Sequence, residues 1–139
     1  MSAAGKRVLC AEPSADICEL ITTMLGRQGY EVSAATTVRE CLDLALSQGF
    51  DLYMLDDDYI DGTSIDLCRR LRALTPETPI LFFSTAALER DRQRGLDAGA
   101  AAYLTKPDDI FDIVQTINSI LLPRAHADAE RLDAARESN

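Results

Sequence analysis

The chain alternates short apolar runs with longer segments of helical spacing, and it does so five times. This alternation favours a parallel β-sheet, because parallel neighbours need a crossover connection that is usually a helix. The apolar runs span residues 8–11, 31–34, 52–55, 80–83 and 101–104. They predict five strands, with right-handed crossovers that place helices on both faces of the sheet.

The composition of the apolar runs predicts which strands are covered on both faces and which lies at an edge of the sheet. Residues 8–11, 52–55 and 80–83 are almost wholly apolar, which is typical of strands covered on both faces. Residues 31–34 are more mixed and predict an edge strand. Five such units in 139 residues predict a single α/β domain with a doubly wound sheet, strand order 2-1-3-4-5 and five helices.

Capping and breaker residues delimit the helices. Ser14 is a candidate N-cap of the first helix, and Thr37 with Glu40 has the spacing of a capping box at the second. Pro76 and Pro123 follow the third and fifth helices. The fourth segment, residues 88–98, has only two large apolar residues and an interior Gly95, so we expect it to be the most mobile helix.

Charge and cysteine usage exclude several classes of protein. The net charge of −9 disfavours direct contact with a nucleic-acid backbone. No apolar run approaches the length of a membrane span, and residues 1–7 contain no apolar segment of the kind found in a secretory leader. The four cysteines are widely spaced and form no CxxC pair, so we expect reduced thiols in a cytoplasmic protein.

Chemically capable side chains follow four of the predicted strands. Glu12 follows the first, Asp56 the third, Ser84 ends the fourth and Lys106 follows the fifth. Ligands of open α/β sheets bind at the carboxyl ends of the strands, where the strand order reverses. The sequence therefore predicts one polar site at this edge.

Each of these residues also has an ordinary structural interpretation. Ser84 could cap the fourth helix, and Lys106 taken alone could be a solvated lysine. Asp57, Asp58 and Asp61 could form a solvated acidic turn before Gly62. The functional interpretation depends on the set of residues rather than on any one of them.

Three stretches resemble the response-regulator receivers of two-component signalling: residues 51–56, 61–72 and 95–107, the last ending in Thr105-Lys106-Pro107. Together with residues 8–17 and 79–84, the resemblance covers residues 6–122 without large gaps. It implies a flavodoxin-like fold, and it leaves residues 123–139 as a polar tail or an extension of the last helix.

The resemblance also implies a role for each matching position. Asp56 would be the phosphoacceptor, and Lys106 and Ser84 would bind the phosphoryl oxygens. Ser84 and Tyr103 would form the conformational switch, and the Lys106–Pro107 peptide would be cis. Mg²⁺ would bind Glu12, Asp56 and Asp58, the last through its backbone or its side chain.

One departure from the family pattern leaves two functions open. Pro13 stands where the family usually carries a second metal-binding acid, so we expect weak Mg²⁺ binding. The first hypothesis is a stand-alone, single-domain response regulator that receives its phosphoryl group from a histidine kinase or a phosphotransfer protein. The alternative is a pseudo-receiver, which signals by protein contact without phosphorylation. An enzyme on a similar fold is disfavoured, because the first strand is followed by no glycine-rich phosphate loop.

Overall fold

The computed structural model describes residues 3–122, which form a five-stranded parallel sheet and a separate two-stranded hairpin. The strands in chain order are β1 (Arg7–Ala11), β2 (Glu31–Ala35), β3 (Leu52–Leu55), β4 (Asp58–Tyr59), β5 (Gly62–Thr63), β6 (Ile80–Ser84) and β7 (Ala102–Thr105). The sheet order is β2-β1-β3-β6-β7. Counted over the sheet strands alone, this is the predicted order 2-1-3-4-5. The expected tail, residues 123–139, lies outside the described residues.

All five predicted helices are present. They are α1 (Ala15–Gly26), α2 (Val38–Ser47), α3 (Ser64–Leu74), α4 (Glu89–Asp97) and α5 (Ile113–Leu121), the last preceded by a 3-10 turn at Ile110–Asp112. Two predicted N-caps are confirmed. The Ser14 hydroxyl accepts the Ile17 amide at 3.4 Å, and the Thr37 hydroxyl accepts the Glu40 amide at 3.1 Å.

The sheet separates two apolar clusters, because successive side chains of a strand point to opposite faces. Val8 and Cys10 of β1 face α1 and α5, whereas Leu9 and Ala11 face α2, α3 and the end of α4. Gly95 is the one buried residue of α4 itself. This thin anchoring is consistent with a mobile α4, which stays a prediction.

The hairpin of β4 and β5 was not predicted. It pairs Tyr59 with Gly62 around a two-residue turn, and the turn residue Asp61 reaches the start of α2. Its carboxylate accepts the amides of Val38 at 2.8 Å and Arg39 at 3.0 Å. Asp61 does lie in an exposed turn, as the sequence indicated, and it has the further role of satisfying two helix amides that have no intrahelical partner.

Candidate functional site

Three side chains from three different strand ends meet at one rim of the sheet. Glu12 follows β1, Asp56 follows β3 and Lys106 follows β7. The Lys106 ammonium donates to Glu12 Oε1 at 2.7 Å and also to Asp56 Oδ1. One cation therefore bridges two carboxylates, as a polar site at this edge requires. The Lys106–Pro107 peptide is cis.

Burial controls the protonation of this cluster. Asp56 is only 8% exposed and Glu12 only 4%. Burial raises the pKa of Asp56 to about 6, with Glu12 adding to the rise and the Lys106 hydrogen bond opposing it. Burial lowers the pKa of Lys106, but its two carboxylate partners outweigh burial and raise it above its usual value. At neutral pH the lysine is charged and Asp56 is largely ionised.

The backbone of Asp56 is held by a residue that the sequence analysis missed. The Asp56 amide donates to the Tyr59 hydroxyl at 2.9 Å, and that hydroxyl donates to the Ala11 carbonyl at 2.7 Å. Tyr59 is buried and thus ties the loop after β3 to β1. No signal in the sequence identifies this anchor, because it depends on the turn of the β4–β5 hairpin.

The predicted metal ligands do not all come together. Glu12 Oε2 accepts the Ser14 amide at 3.0 Å beside Lys106, whereas the Asp58 carboxylate accepts the Ser64 amide at 3.2 Å, at the start of α3. Within residues 3–122, no group of three or more Asp, Glu, His or Cys side chains could hold a metal ion. Glu12 and Asp56 remain as a pair of carboxylate donors.

The Ser84 hydroxyl lies at the same rim but bonds a different carboxylate. It donates to Asp57 Oδ1, while Thr85 donates its amide to Oδ1 at 2.8 Å and its hydroxyl to Oδ2 at 2.7 Å. Ser84 does not cap α4, whose N-cap is Leu88. Burial raises the pKa of Asp57, but the Ser84 and Thr85 hydrogen bonds outweigh burial and leave it below the usual value. Asp57 is therefore a specific hydrogen-bond acceptor rather than a residue of a solvated turn.

Tyr103 lies inward, against the face of the sheet that carries α4. Its ring stacks on Phe82 with centroids 5.6 Å apart, and its hydroxyl donates to the Ala86 carbonyl at 2.6 Å. Gly95 of α4 packs over the ring, so that a Cβ at this position would lie 2.8 Å from Tyr103 Cδ2. The glycine that weakens the helix thus provides the space in which the ring lies.

The sequence comparisons agree with this geometry. A family profile described as the response regulator receiver domain matches residues 8–118. The chain belongs to this receiver family. Among curated relatives, response regulator ArlR of Staphylococcus epidermidis is 32% identical over 126 residues, which cover 91% of this chain and 56% of ArlR. The nisin biosynthesis regulatory protein NisR of Lactococcus lactis is 34% identical, over 81% of this chain and 49% of NisR.

Solved structures agree on the fold. Chemotaxis protein CheY4 of Vibrio cholerae superimposes with a TM-score of 0.79 at 28% identity, covering 85% of this chain and all of CheY4. The non-phosphorylated HemR receiver domain of Leptospira biflexa gives a TM-score of 0.77 at 28% identity, covering 84% of this chain and 94% of HemR. The receiver described here spans about half the length of the curated relatives that it matches.

Membership defines the general activity. Receiver domains belong to response regulators and act in phosphorylation-based two-component signalling, generally as signalling domains rather than as enzymes. They typically bind Mg²⁺ at the phosphorylation site, and they interact with histidine kinases or phosphotransfer proteins. No helix between residues 3 and 122 has the length and apolar character needed to span a membrane.

Proposed function

We propose that Asp56 of this receiver accepts a phosphoryl group from a histidine kinase or a phosphotransfer protein. The contact between Lys106 and Asp56 supports this proposal most directly. A buried carboxylate beside a fixed ammonium combines a nucleophile with a cation that can stabilise the charge developing on a transferred phosphoryl group. Lys106 contacts two acids at this rim, Glu12 and Asp56.

The transfer step assigns a task to each of these residues. An ionised Asp56 oxygen attacks phosphorus, forming an O–P bond while the N–P bond of the donor phosphohistidine breaks. The leaving imidazole nitrogen keeps the bonding electron pair and takes up a proton from solvent. Lys106 would turn from Asp56 Oδ1 to a phosphoryl oxygen without leaving Glu12, since an ammonium has three donors. The backbone amide of Asp57, which opposes the burial-driven rise in the pKa of the neighbouring Asp56 carboxylate, would help to orient the acyl phosphate.

The donors at the rim fit a weak Mg²⁺ site. Mg²⁺ in phosphoryl-transfer sites is often bound by one or two carboxylates plus phosphate oxygens and waters, and Glu12 and Asp56 provide two carboxylates. When bound, the ion would neutralise negative charge between these carboxylates and the phosphoryl group. Lys106 already neutralises part of that charge, and Pro13 offers no ligand, so we expect low affinity. The backbone carbonyl of Asp58 is the proposed third donor, because the Asp58 carboxylate accepts the Ser64 amide.

The signal would be relayed through Ser84 and Tyr103. Ser84 would turn towards the phosphoryl oxygens, and the Tyr103 ring would hold the surface of α4, β7 and α5 in the arrangement that a protein partner recognises. We place the receiver at residues 6–122 and propose that it acts on a protein partner. The chain's net charge of −9 supports this over contact with DNA. Free thiols at Cys10, Cys18, Cys41 and Cys68 support a reducing cytoplasmic location.

Phosphorylation with a small-molecule donor tests the proposal. The protein is incubated with acetyl phosphate and Mg²⁺, and its intact mass is measured before and after hydroxylamine treatment, which cleaves acyl phosphates. We expect a gain of one phosphoryl group in the wild type and in Asp66→Asn, an exposed acid of α3, and no gain in Asp56→Asn. Incorporation that survives in Asp56→Asn would remove this residue from its role.

The pseudo-receiver is the second candidate, and Pro13 is the observation that favours it. If phosphorylation fails because a metal ligand is missing, Pro13→Asp restores it and tightens Mg²⁺ binding by about tenfold, or about 1.4 kcal/mol. A wild type that takes up no phosphoryl group, together with a Pro13→Asp variant that does, identifies this chain as the pseudo-receiver.

A further inference from the structure

The carboxylate of Asp57 accepts three hydrogen bonds from the last residue of β6 and the residue that follows it. The Ser84 hydroxyl and the Thr85 amide bond one oxygen, and the Thr85 hydroxyl bonds the other. Hydrogen bonds to an ionised acceptor are roughly twice as strong as neutral ones. Asp57 therefore fixes the start of the loop between β6 and α4, although it touches neither Lys106 nor Glu12 by a hydrogen bond.

The donor capacity of the Ser84 hydroxyl is fully used in this arrangement. It has a single proton, which it donates to Asp57, and it accepts the Ala86 amide at 3.0 Å. A phosphoryl oxygen on Asp56 could accept a hydrogen bond from the Ser84 hydroxyl only after the bond between Ser84 and Asp57 is broken. Asp57 and a phosphorylated Asp56 therefore compete for one donor.

The same contacts extend to the aromatic switch position. Ala86 donates its amide to Ser84 and accepts the Tyr103 hydroxyl with its carbonyl. A chain of hydrogen bonds thus joins Asp57 to Tyr103 through Ser84 and Ala86. A change in the Ser84 bond would be transmitted to the backbone segment that holds the Tyr103 hydroxyl.

We infer that Asp57 is a positioning residue that retains Ser84 and Thr85 in the resting arrangement and thereby opposes capture of a phosphoryl group at Asp56. This inference rests on the proposed role of Asp56. A ligand that needs the Ser84 proton must first break its bond to Asp57, and that difference between the two arrangements lowers the ligand's apparent affinity. Removal of the Asp57 carboxylate should then strengthen binding at Asp56.

Beryllofluoride, which mimics a phosphoryl group on a carboxylate, provides the measurement. Its dissociation constant is determined by ¹⁹F NMR in the presence of Mg²⁺ for the wild type, Asp57→Ala and Asp57→Asn. We expect Asp57→Ala to bind about tenfold more tightly, as the loss of charge-assisted hydrogen bonds in the resting state implies. Asp57→Asn keeps a neutral acceptor oxygen and should lie between the other two. Asp66→Asn removes a nearby negative charge that has no bond to Ser84 and should match the wild type.

A second genetic background separates positioning from a general charge effect. If Asp57 acts through the serine, the gain from Asp57→Ala disappears in a Ser84→Ala protein, because there is no hydroxyl to release. A gain of equal size in that background, or unchanged or weaker binding by Asp57→Ala, overturns the inference. If circular dichroism shows that Asp57→Ala is unfolded, the dissociation constants of Asp57→Asn and Asp66→Asn are compared instead. The inference then requires Asp57→Asn to bind beryllofluoride more tightly than Asp66→Asn. If the wild type and Asp56→Asn give the same ¹⁹F signal, beryllofluoride does not bind at Asp56. That result would overturn both the proposed function and this inference.

Discussion

A single methyl group at Gly95 tests how the Tyr103 ring is held. In Gly95→Ala the new Cβ would lie 2.8 Å from Tyr103 Cδ2 and 3.1 Å from Cε2, well inside ordinary carbon contacts of about 3.5–4.0 Å. The ring cannot yield freely, because it stacks on Phe82 and its hydroxyl is bonded to Ala86. The variant must therefore strain these contacts or expel the ring.

The magnitude follows from two opposing effects. Overpacking a well-filled site costs about 1–3 kcal/mol, whereas alanine is favoured over glycine inside a helix by about 1 kcal/mol. We expect a net loss of about 1 kcal/mol in the free energy of unfolding, measured by urea denaturation followed by circular dichroism. Near-ultraviolet dichroism should also change, since the environment of a stacked tyrosine is altered.

Two controls make the interpretation specific. Gly26 ends α1, and a Cβ added there would meet no heavy atom within 4 Å, so Gly26→Ala should gain stability, by less than about 1 kcal/mol at a helix end. In a Tyr103→Ala background the obstruction is gone, and Gly95→Ala should become stabilising. A Gly95→Ala protein that is stabilised as much as Gly26→Ala, with the tyrosine intact, would show that the ring does not occupy this space.

Three further predictions follow from the rim and the hairpin. Lys106→Met leaves two buried carboxylates without their shared cation and should lower the free energy of unfolding by about 3 kcal/mol at neutral pH. Lys6→Met is the control and should change stability little. Similar unfolding midpoints for the two variants would contradict this prediction. Folding raises the pKa of Asp56 from 3.8 to about 6, so the folded state retains this proton longer and loses up to about 3 kcal/mol as pH rises through that interval. In metal-free buffer, Asp56→Asn should lack this loss, and parallel stability curves for the two proteins would argue against it. Asp61→Ala removes the acceptor of two α2 amides and should lower the urea midpoint of unfolding. Asp43→Ala, on the exposed face of α2, is the comparison and should lower that midpoint less.

The order of the sheet was predictable because its signals are long and repeated. Each buried strand is an apolar run, and each crossover carries helical spacing and a cap, as at Ser14 and Thr37. The meeting of Glu12, Asp56 and Lys106 follows from the same order, since the ends of parallel strands lie at one rim. These conclusions need only strand order, which the sequence pattern contains.

The roles of the consecutive acids were not predictable. Asp56, Asp57 and Asp58 are chemically alike, yet their carboxylates have different partners: Lys106, the Ser84–Thr85 segment and the Ser64 amide. Which partner each acid meets depends on where the pleat of β3 stops and the chain turns. That turn belongs to a hairpin of two-residue strands, which is too short to leave a periodic pattern in the sequence.

The aromatic pair of Tyr103 and Phe82 belongs to only one of the two apolar layers that cover the sheet. Tyr103 and Phe82 pack with α2, α3 and the end of α4, while the intervening residues of the same strands pack with α1 and α5. A rearrangement of the aromatic pair therefore disturbs one apolar layer and leaves the other as a fixed support. Amide hydrogen exchange should accordingly resolve two zones of opening, with ligand-dependent protection concentrated in the layer that contains Tyr103. Such a division would let substitutions in the opposite layer tune overall stability without changing how the domain responds.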